Sequence, residues 1–143
     1  MNFRSIRIYE EELEAILDFY EESIILAVSP SYDYKTKIGR YRVALLYKKY
    51  RKILSGEVIG IISANRTAIY GLVEGAKGIR KPLNIVIMTP STYGFKKATR
   101  QRGANLDLWN ELFSILESKG CVEVVEIVVI GGGKSIAAIC GWP

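Results

Sequence analysis

In this 143-residue chain, histidine is absent and cysteine occurs only twice. The side chains able to do chemistry are therefore mainly carboxylates and cations. The absence of histidine excludes histidine-ligated metals, Ser-His-Asp and Cys-His triads, and acid–base catalysis by imidazole. Cys121 and Cys140 are too few for a disulfide framework, and no Cys-x-x-Cys is present. What remains is the chemistry of acids with divalent metals, or of cations with an anionic partner.

The charges are unevenly distributed along the chain. Residues 1–22 hold two basic and seven acidic side chains and therefore carry −5, whereas the remainder carries +10, which gives the net charge of +5. A basic body favours an anionic partner such as nucleic acid. Solvated faces explain a charge of this size equally well, so both interpretations stay open.

Cations are concentrated in two short segments. The Lys96 cluster consists of Lys96, Lys97, Arg100 and Arg102. With Tyr93 and Phe95 beside it, this cluster predicts a phosphate-binding edge, and a solvated loop is the alternative. The Lys48 cluster consists of Lys48, Lys49, Arg51 and Lys52. It falls at a predicted hairpin tip, where charge also discourages edge pairing.

A glycine-rich segment imitates the end of a phosphate-binding loop. Residues 131–135 read Gly-Gly-Gly-Lys-Ser, but the full pattern requires glycine where Val128 stands. We therefore reject nucleotide hydrolysis at this segment. Weak anion binding by its backbone N–H groups stays open.

Hydrophobic periodicity predicts the elements that position these residues. Apolar residues at i, i+3, i+4 and i+7 predict an amphipathic helix over 10–22, with acids on its outer face. Ser63 is a good N-cap for a helix over 64–78, whose glycines either weaken it or let it pack close to a sheet. Two more helices are predicted over 91–98 and from 105 or 107 to 119. Strands are predicted over 24–28, 39–47, 51–62, 83–88 and 122–130.

This order of elements predicts an α/β fold. Three antiparallel strands come first, and helices then alternate with strands, which implies a mixed five-stranded sheet with helices on its faces. The domain is expected over 24–143, with an acidic N-terminal helical extension over 1–23. The fifth strand is apolar on both faces, so we expect it to be central and covered.

Five segments, in order over roughly 24–135, resemble the type 1 ribonuclease H family. They are Gly39 to Tyr47 as the second strand, Ser63 to Ile69 as T-x-N-R-x-E-L, Thr89-Pro90-Ser91 as T-D-S, Asn105 to Trp109 as N-x-D-L-W, and the fifth strand running into glycines. The resemblance implies a ribonuclease H-like fold. It also implies four carboxylates that hold two divalent metals, Mg²⁺ or Mn²⁺, for phosphodiester cleavage.

The implied metal ligands are replaced in this chain. Ser29, Ala68 and Pro90 stand where the resemblance places the first three acids, and no acid follows Glu126 to supply the fourth. The family's catalytic histidine position falls within 131–133. Hard divalent cations require anionic oxygen ligands, so we expect no metal and no cofactor at these positions.

A metal site rebuilt from displaced acids is the alternative. The candidates are Asp33, Glu57, Glu74 and Asp107. Asp107 is equally explained as a charge favoured at a helix N-terminus. Because the predicted elements do not obviously bring these acids together, relocated ligands are the less favoured hypothesis.

Two features of a binding surface survive. Ser63 and Asn65 match the family positions that touch the nucleic-acid backbone, although helix capping explains Ser63 as well. The leading hypothesis is therefore a catalytically inactive ribonuclease H-like domain, a pseudoenzyme acting as a nucleic-acid-binding or protein-scaffolding module. The alternative is a divergent metal-dependent nuclease that cleaves RNA in RNA–DNA hybrids.

The expected partners follow from the charge distribution. RNA, DNA or an RNA–DNA hybrid would bind the basic face, and a second copy or another protein would bind the acidic N-terminal helix. No uninterrupted apolar run reaches the roughly 18 residues of a membrane span, so no membrane partner is expected. The cytoplasm is the predicted location.

Overall fold

The computed structural model describes residues 1–60 and 63–143 and contains one six-stranded sheet. The strands are β1 (Asn2–Tyr9), β2 (Ile24–Asp33), β3 (Ile38–Tyr47), β4 (Tyr50–Ile59), β5 (Ile85–Thr89) and β6 (Glu123–Ile130). The helices are α1 (Leu13–Phe19), which follows a 3₁₀ turn, α2 (Ala64–Lys77), α3 (Phe95–Ala98), α4 (Leu106–Ser118) and α5 (Gly133–Ile139). The predicted third strand ended at 62, but residues 61 and 62 lie outside the described part of the chain.

The sheet is mixed, as the order of elements predicted. Its strand order is β1-β6-β5-β2-β3-β4. The pairs β2–β3 and β3–β4 are antiparallel, whereas β2–β5, β5–β6 and β6–β1 are parallel. The α/β class, the antiparallel trio and the flanking helices are therefore confirmed.

Strand β1 is the sixth strand, which the sequence pattern did not reveal. It pairs in parallel with β6, in a register that sets Ser5 opposite Glu126 and Ile8 opposite Val129. Charged and polar side chains interrupt its apolar residues, as is common in edge strands, and this weakened the period-two signal. The segment before α1 is thus part of the sheet, and β6 is central as expected.

Helices cover both faces of the sheet. On one face α2 and α4 pack over the larger core cluster, which includes Leu26, Val43 and Ile87. On the other face α1 and α5 cover a second cluster around Ala27, Met88 and Ile127. The predicted apolar side of the N-terminal helix packs against this second cluster through Leu13, Ile16, Leu17 and Tyr20.

Two boundaries differ from the sequence-based expectation. Strand β2 continues through Ser29-Pro30-Ser31 to Asp33, although these residues were expected to end it. Its pairing with β5 covers Ile24–Ala27, so Pro30 lies where β3 is the neighbouring strand, an edge-like position that tolerates proline. The segment after β6 forms α5, although no helix was predicted beyond residue 119.

The glycines of α2 allow close packing against the sheet, one of the two explanations that the sequence left open. A Cβ on Gly75 would lie 2.8 Å from Val43, and one on Gly71 would lie 3.0 Å from Tyr41. Both separations are tighter than ordinary contact, so the glycines let the backbone of α2 lie directly on side chains of the sheet. Among the described residues, no helix is both long and apolar enough to cross a membrane.

Candidate nucleic-acid interface

The three positions without carboxylates do not meet at one point. Ala68 lies on α2 and is fully buried in the larger core cluster. Ser29 lies opposite Arg42, whose guanidinium stacks on Trp142 on the other face, with centroid distance 5.4 Å. Side chains alternate along a strand, so Ser29 faces the α5 side of the sheet and Ala68 packs from the α2 side.

The C-terminal segment covers the Ser29 position. The Trp142 indole N–H donates to the Ser29 carbonyl at 3.2 Å, and the Cys140 thiol donates to the Ala27 carbonyl at 3.3 Å. Pro90 follows directly after β5 and is partly buried. Neutral side chains and protein contacts thus take up all three places.

At the start of α2, the two residues predicted to touch a nucleic-acid backbone have different surroundings. The Ser63 hydroxyl accepts the backbone N–H of Arg66 at 3.1 Å, so it caps the helix. Its carbonyl accepts the Thr67 hydroxyl at 2.9 Å. Asn65 is exposed and lines a cleft, and it is therefore the more available of the pair.

A bidentate ion pair joins α2 to α4. The Arg66 guanidinium donates to both Asp107 carboxylate oxygens, at 3.0 and 2.7 Å, and to Asn105 Oδ1 at 3.0 Å. It also lies 5.6 Å from the centroid of the Tyr70 ring. The hydrogen bonds that Arg66 donates to Asp107 are the main cause that lowers the pKa of Asp107 to about 2. The Asp107 carboxylate therefore has a structural role, which is to connect α4 to α2 through Arg66.

Asp107→Asn should lower the stability at neutral pH and leave it nearly unchanged in acid. A depressed folded-state pKa stabilises the fold above the unfolded value of about 4, and this contribution is lost as the pH falls from about 4 to about 2. Because Asp107 is largely exposed, we expect no more than about 1 kcal/mol. Urea unfolding of both proteins between pH 7 and about pH 2 measures the difference. A constant difference across that range would contradict the assignment.

The other displaced acids are also engaged. Asp33 accepts the backbone N–H groups of Lys35 and Thr36 at 2.9 and 3.4 Å, and these bonds lower its pKa. The two remaining acids form ion pairs, Glu57 with Arg40 at 3.1 Å and Glu74 with Lys77 at 2.9 Å. Within residues 1–60 and 63–143, no three acidic or cysteine side chains form a group able to hold a metal. The residues present therefore do not fit a two-metal centre.

The Lys96 cluster lies on and just after α3, and all four of its side chains are exposed. Helix α3 is shorter than the predicted 91–98 and is anchored by buried Phe95 and Ala98. The Trp109 indole on α4 donates to the Tyr93 carbonyl at 3.0 Å, which fixes the preceding loop. No ion pair within the described ranges involves the cluster, so its charges face solvent.

A cleft of about 370 Å³ joins the Lys96 cluster to the start of α2. Its lining includes Asn65, Lys96 and Lys97, together with three residues that the sequence pattern did not single out as site residues, Ser5, Arg7 and Glu126. The signal for Glu126 was present, because it is an acid set between apolar residues in a central strand. No sequence pattern marked Ser5 and Arg7, because their place in the cleft depends on the pairing of β1 with β6.

The Lys48 cluster and the acidic helix form a separate surface. Lys48 pairs with Glu22 at 3.4 Å, and Arg51 donates to the Ile139 carbonyl at 3.0 Å. The Ser135 hydroxyl donates to Glu10 and connects α5 to the segment before α1. The acidic segment therefore lies on the α5 face, whereas the Lys96 cluster lies on the α4 side.

Comparisons with known proteins agree with the fold. The chain is 25% identical over 95 residues to a ribonuclease H of Caldicellulosiruptor saccharolyticus, covering 55% of this chain and 65% of that protein. It is 27% identical over 93 residues to a ribonuclease H of Syntrophus aciditrophicus, covering 54% and 53%. The chain thus spans less than two thirds of the length of either relative. No protein-family model matches it.

A solved structure extends the comparison to most of the fold. The N-terminal RNase H domain of a Mycobacterium tuberculosis protein, solved as a fusion with maltose binding protein, superposes with a TM-score of 0.61. The match covers 82% of this chain and 90% of that chain at 9% identity. By sequence similarity and by fold, the chain is ribonuclease H-like.

Proposed function

We propose that this chain is a catalytically inactive ribonuclease H-like domain that binds nucleic acid. The observation that carries the proposal is the unpaired Lys96 cluster beside Asn65, on a fold whose metal-ligand positions hold Ser29, Ala68 and Pro90. Exposed cations attract phosphates by displacing counterions, and this needs no metal. The proposed ligand is RNA, DNA or an RNA–DNA hybrid.

The engagement of the remaining acids argues against the alternative of a nuclease with relocated ligands. Asp33 accepts hydrogen bonds that close a turn. Glu57, Glu74 and Asp107 each form an ion pair with a lysine or arginine side chain. To bind Mg²⁺ or Mn²⁺, several of them would have to leave these partners and come together from different elements. The cost of breaking these contacts favours binding without cleavage.

Nucleic acid is also favoured over a protein partner held by the acidic helix. The apolar side of α1 is used inside the domain, and the acid nearest the hairpin, Glu22, pairs with Lys48. The Lys96 cluster has no comparable protein partner within the described residues. A second copy or another protein is therefore the less supported ligand.

Anisotropy titrations with labelled RNA–DNA hybrid, duplex DNA and duplex RNA test the proposal. We expect binding at about 50 mM salt that weakens steeply as salt rises, with no cleavage in Mg²⁺ or Mn²⁺. No binding to any of the three at about 50 mM salt would overturn it. Metal-dependent cleavage that disappears in Asp33→Asn or Asp107→Asn would establish the nuclease alternative.

A further inference from the structure

The cleft beside the Lys96 cluster contains a buried acceptor without a donor. Glu126 is 3% exposed. Its Oε1 accepts the Ser5 hydroxyl at 2.6 Å, whereas its Oε2 has no hydrogen-bond partner among the described residues. A buried carboxylate oxygen without a donor is costly, so its presence at the wall of a cleft requires an explanation.

The fold itself builds the environment of Glu126. Glu126 lies on central β6, opposite Ser5 of β1 and Ile87 of β5. Burial raises the pKa of its carboxyl, and the Ser5 hydrogen bond and the positive charges of Lys96 and Arg7 oppose that rise. An apolar residue here would remove this cost, as at the neighbouring positions 124, 125, 127 and 128 of the strand, so the acid indicates a function rather than packing.

Cations line the same cleft. Arg7, Lys96 and Lys97 are exposed side chains of its lining, and they come from β1 and α3. A ligand filling the cleft would therefore meet positive charges at its exposed rim and one carboxylate at its buried wall. A divalent cation would meet a single carboxylate among these positive charges, which makes a metal the poorer match.

We propose that this cleft binds a single nucleotide, with its phosphate at Arg7, Lys96 and Lys97 and an amino group of its base at Glu126 Oε2. Carboxylates recognise bases by accepting hydrogen bonds from exocyclic amino groups, such as the N4 amino group of cytosine. The volume of about 370 Å³ lies within the usual range of small-molecule sites. The ligand is either a free nucleotide or the terminal nucleotide of a strand, which share this chemistry.

The arrangement predicts a base preference. Cytosine, adenine and guanine each carry an exocyclic amino group, whereas uracil presents one ring N–H between two carbonyl oxygens. Those oxygens would approach the Glu126 carboxylate and repel it. We therefore expect CMP, AMP and GMP to bind more tightly than UMP.

Calorimetric titration of the full chain with the four nucleoside monophosphates tests this site. Glu126→Gln should weaken CMP, AMP and GMP binding by roughly 10- to 100-fold, because its amide lacks the negative charge and, when its oxygen accepts from Ser5, turns an N–H₂ donor toward the base amino group. Arg7→Gln should weaken all four nucleotides. Glu123→Gln is the matched control, because Glu123 lies on the same strand outside the cleft and should leave binding unchanged.

A second measurement separates lost recognition from lost folding. Removing a poorly compensated buried charge should make Glu126→Gln melt at a higher temperature than the natural chain at pH 7, even as it binds less. A tetranucleotide that binds more tightly than the monophosphates would identify a strand end, and equal affinities would identify a free nucleotide.

The proposal fails if no monophosphate binds at millimolar concentration, if UMP binds as well as CMP, AMP and GMP, or if Glu126→Gln binds normally. It shares Lys96 and Lys97 with the proposed nucleic-acid surface but does not depend on it. Failure of the nucleotide site would leave salt-dependent binding of long duplexes intact. Failure of the duplex surface would leave binding of monophosphates and its dependence on Glu126 intact.

Discussion

Trp109→Ala is expected to destabilise the fold by about 3–5 kcal/mol, the usual cost of removing a large buried aromatic side chain. Trp109 is fully buried, and its ring centroid lies 5.7 Å from that of Phe95 and 5.8 Å from that of Phe113. Its N–H also satisfies the Tyr93 carbonyl, which truncation would leave without this donor. Since domains of this size are stable by roughly 5–15 kcal/mol, the loss is a large fraction of the total.

Urea unfolding with a fitted slope measures this effect. Trp109→Phe is the informative control, because it keeps an aromatic ring but lacks the N–H that holds the loop before α3. We expect it to cost less than the alanine variant while still loosening the loop that precedes α3 and the Lys96 cluster. A loss below about 1.5 kcal/mol for Trp109→Ala would mean that Trp109 is not central to the core.

Neutralising the Lys96 cluster should remove most nucleic-acid binding. With four phosphate contacts, the affinity of the natural chain for duplex DNA should fall by roughly 100-fold between about 50 and 200 mM salt. The variant with glutamine at all four positions, Lys96, Lys97, Arg100 and Arg102, should show a nearly flat salt dependence. At about 50 mM salt it should bind roughly 100-fold less tightly or worse.

The matched control is the variant with glutamine at the four positions of the Lys48 cluster. Both variants lose four positive charges, so a general effect of net charge would weaken binding equally in the two. We expect the Lys48-cluster variant to keep most of its affinity and its salt slope, because those cations lie at the β3–β4 hairpin, where Lys48 pairs with Glu22 and Arg51 donates to the Ile139 carbonyl. Equal losses in the two variants would refute a localised surface.

Much of the fold was predictable because its signals are local. The apolar runs of β2, β3, β5 and β6, and the capped helix beginning after Ser63, carried their own periodicity or end signals. Strand β1 was missed because its pattern is mixed and its partner lies more than a hundred residues away. Helix α5 was missed because its three-glycine start indicated a turn, although tertiary packing against β2 supports a helix.

The candidate site was predictable only in part. The Lys96 cluster and Asn65 could be selected by residue type and position, and the structure places Asn65, Lys96 and Lys97 in one cleft. The placement of Ser29 on the opposite face from Ala68 could not be predicted, because it depends on the register of β2 in the sheet. Their roles in binding remain predictions.

The sequence by itself determined the type of chemistry that this protein can support. It contains no histidine, holds neutral residues at Ser29, Ala68 and Pro90, and concentrates cations after β5. Tertiary structure decided where these charges act, by pairing Arg66 with Asp107 and by bringing Arg7 from β1 beside Lys96 and Glu126. The physical reason is that residue type is carried by each position alone, whereas the surroundings of Glu126 exist only after strands distant in sequence have paired.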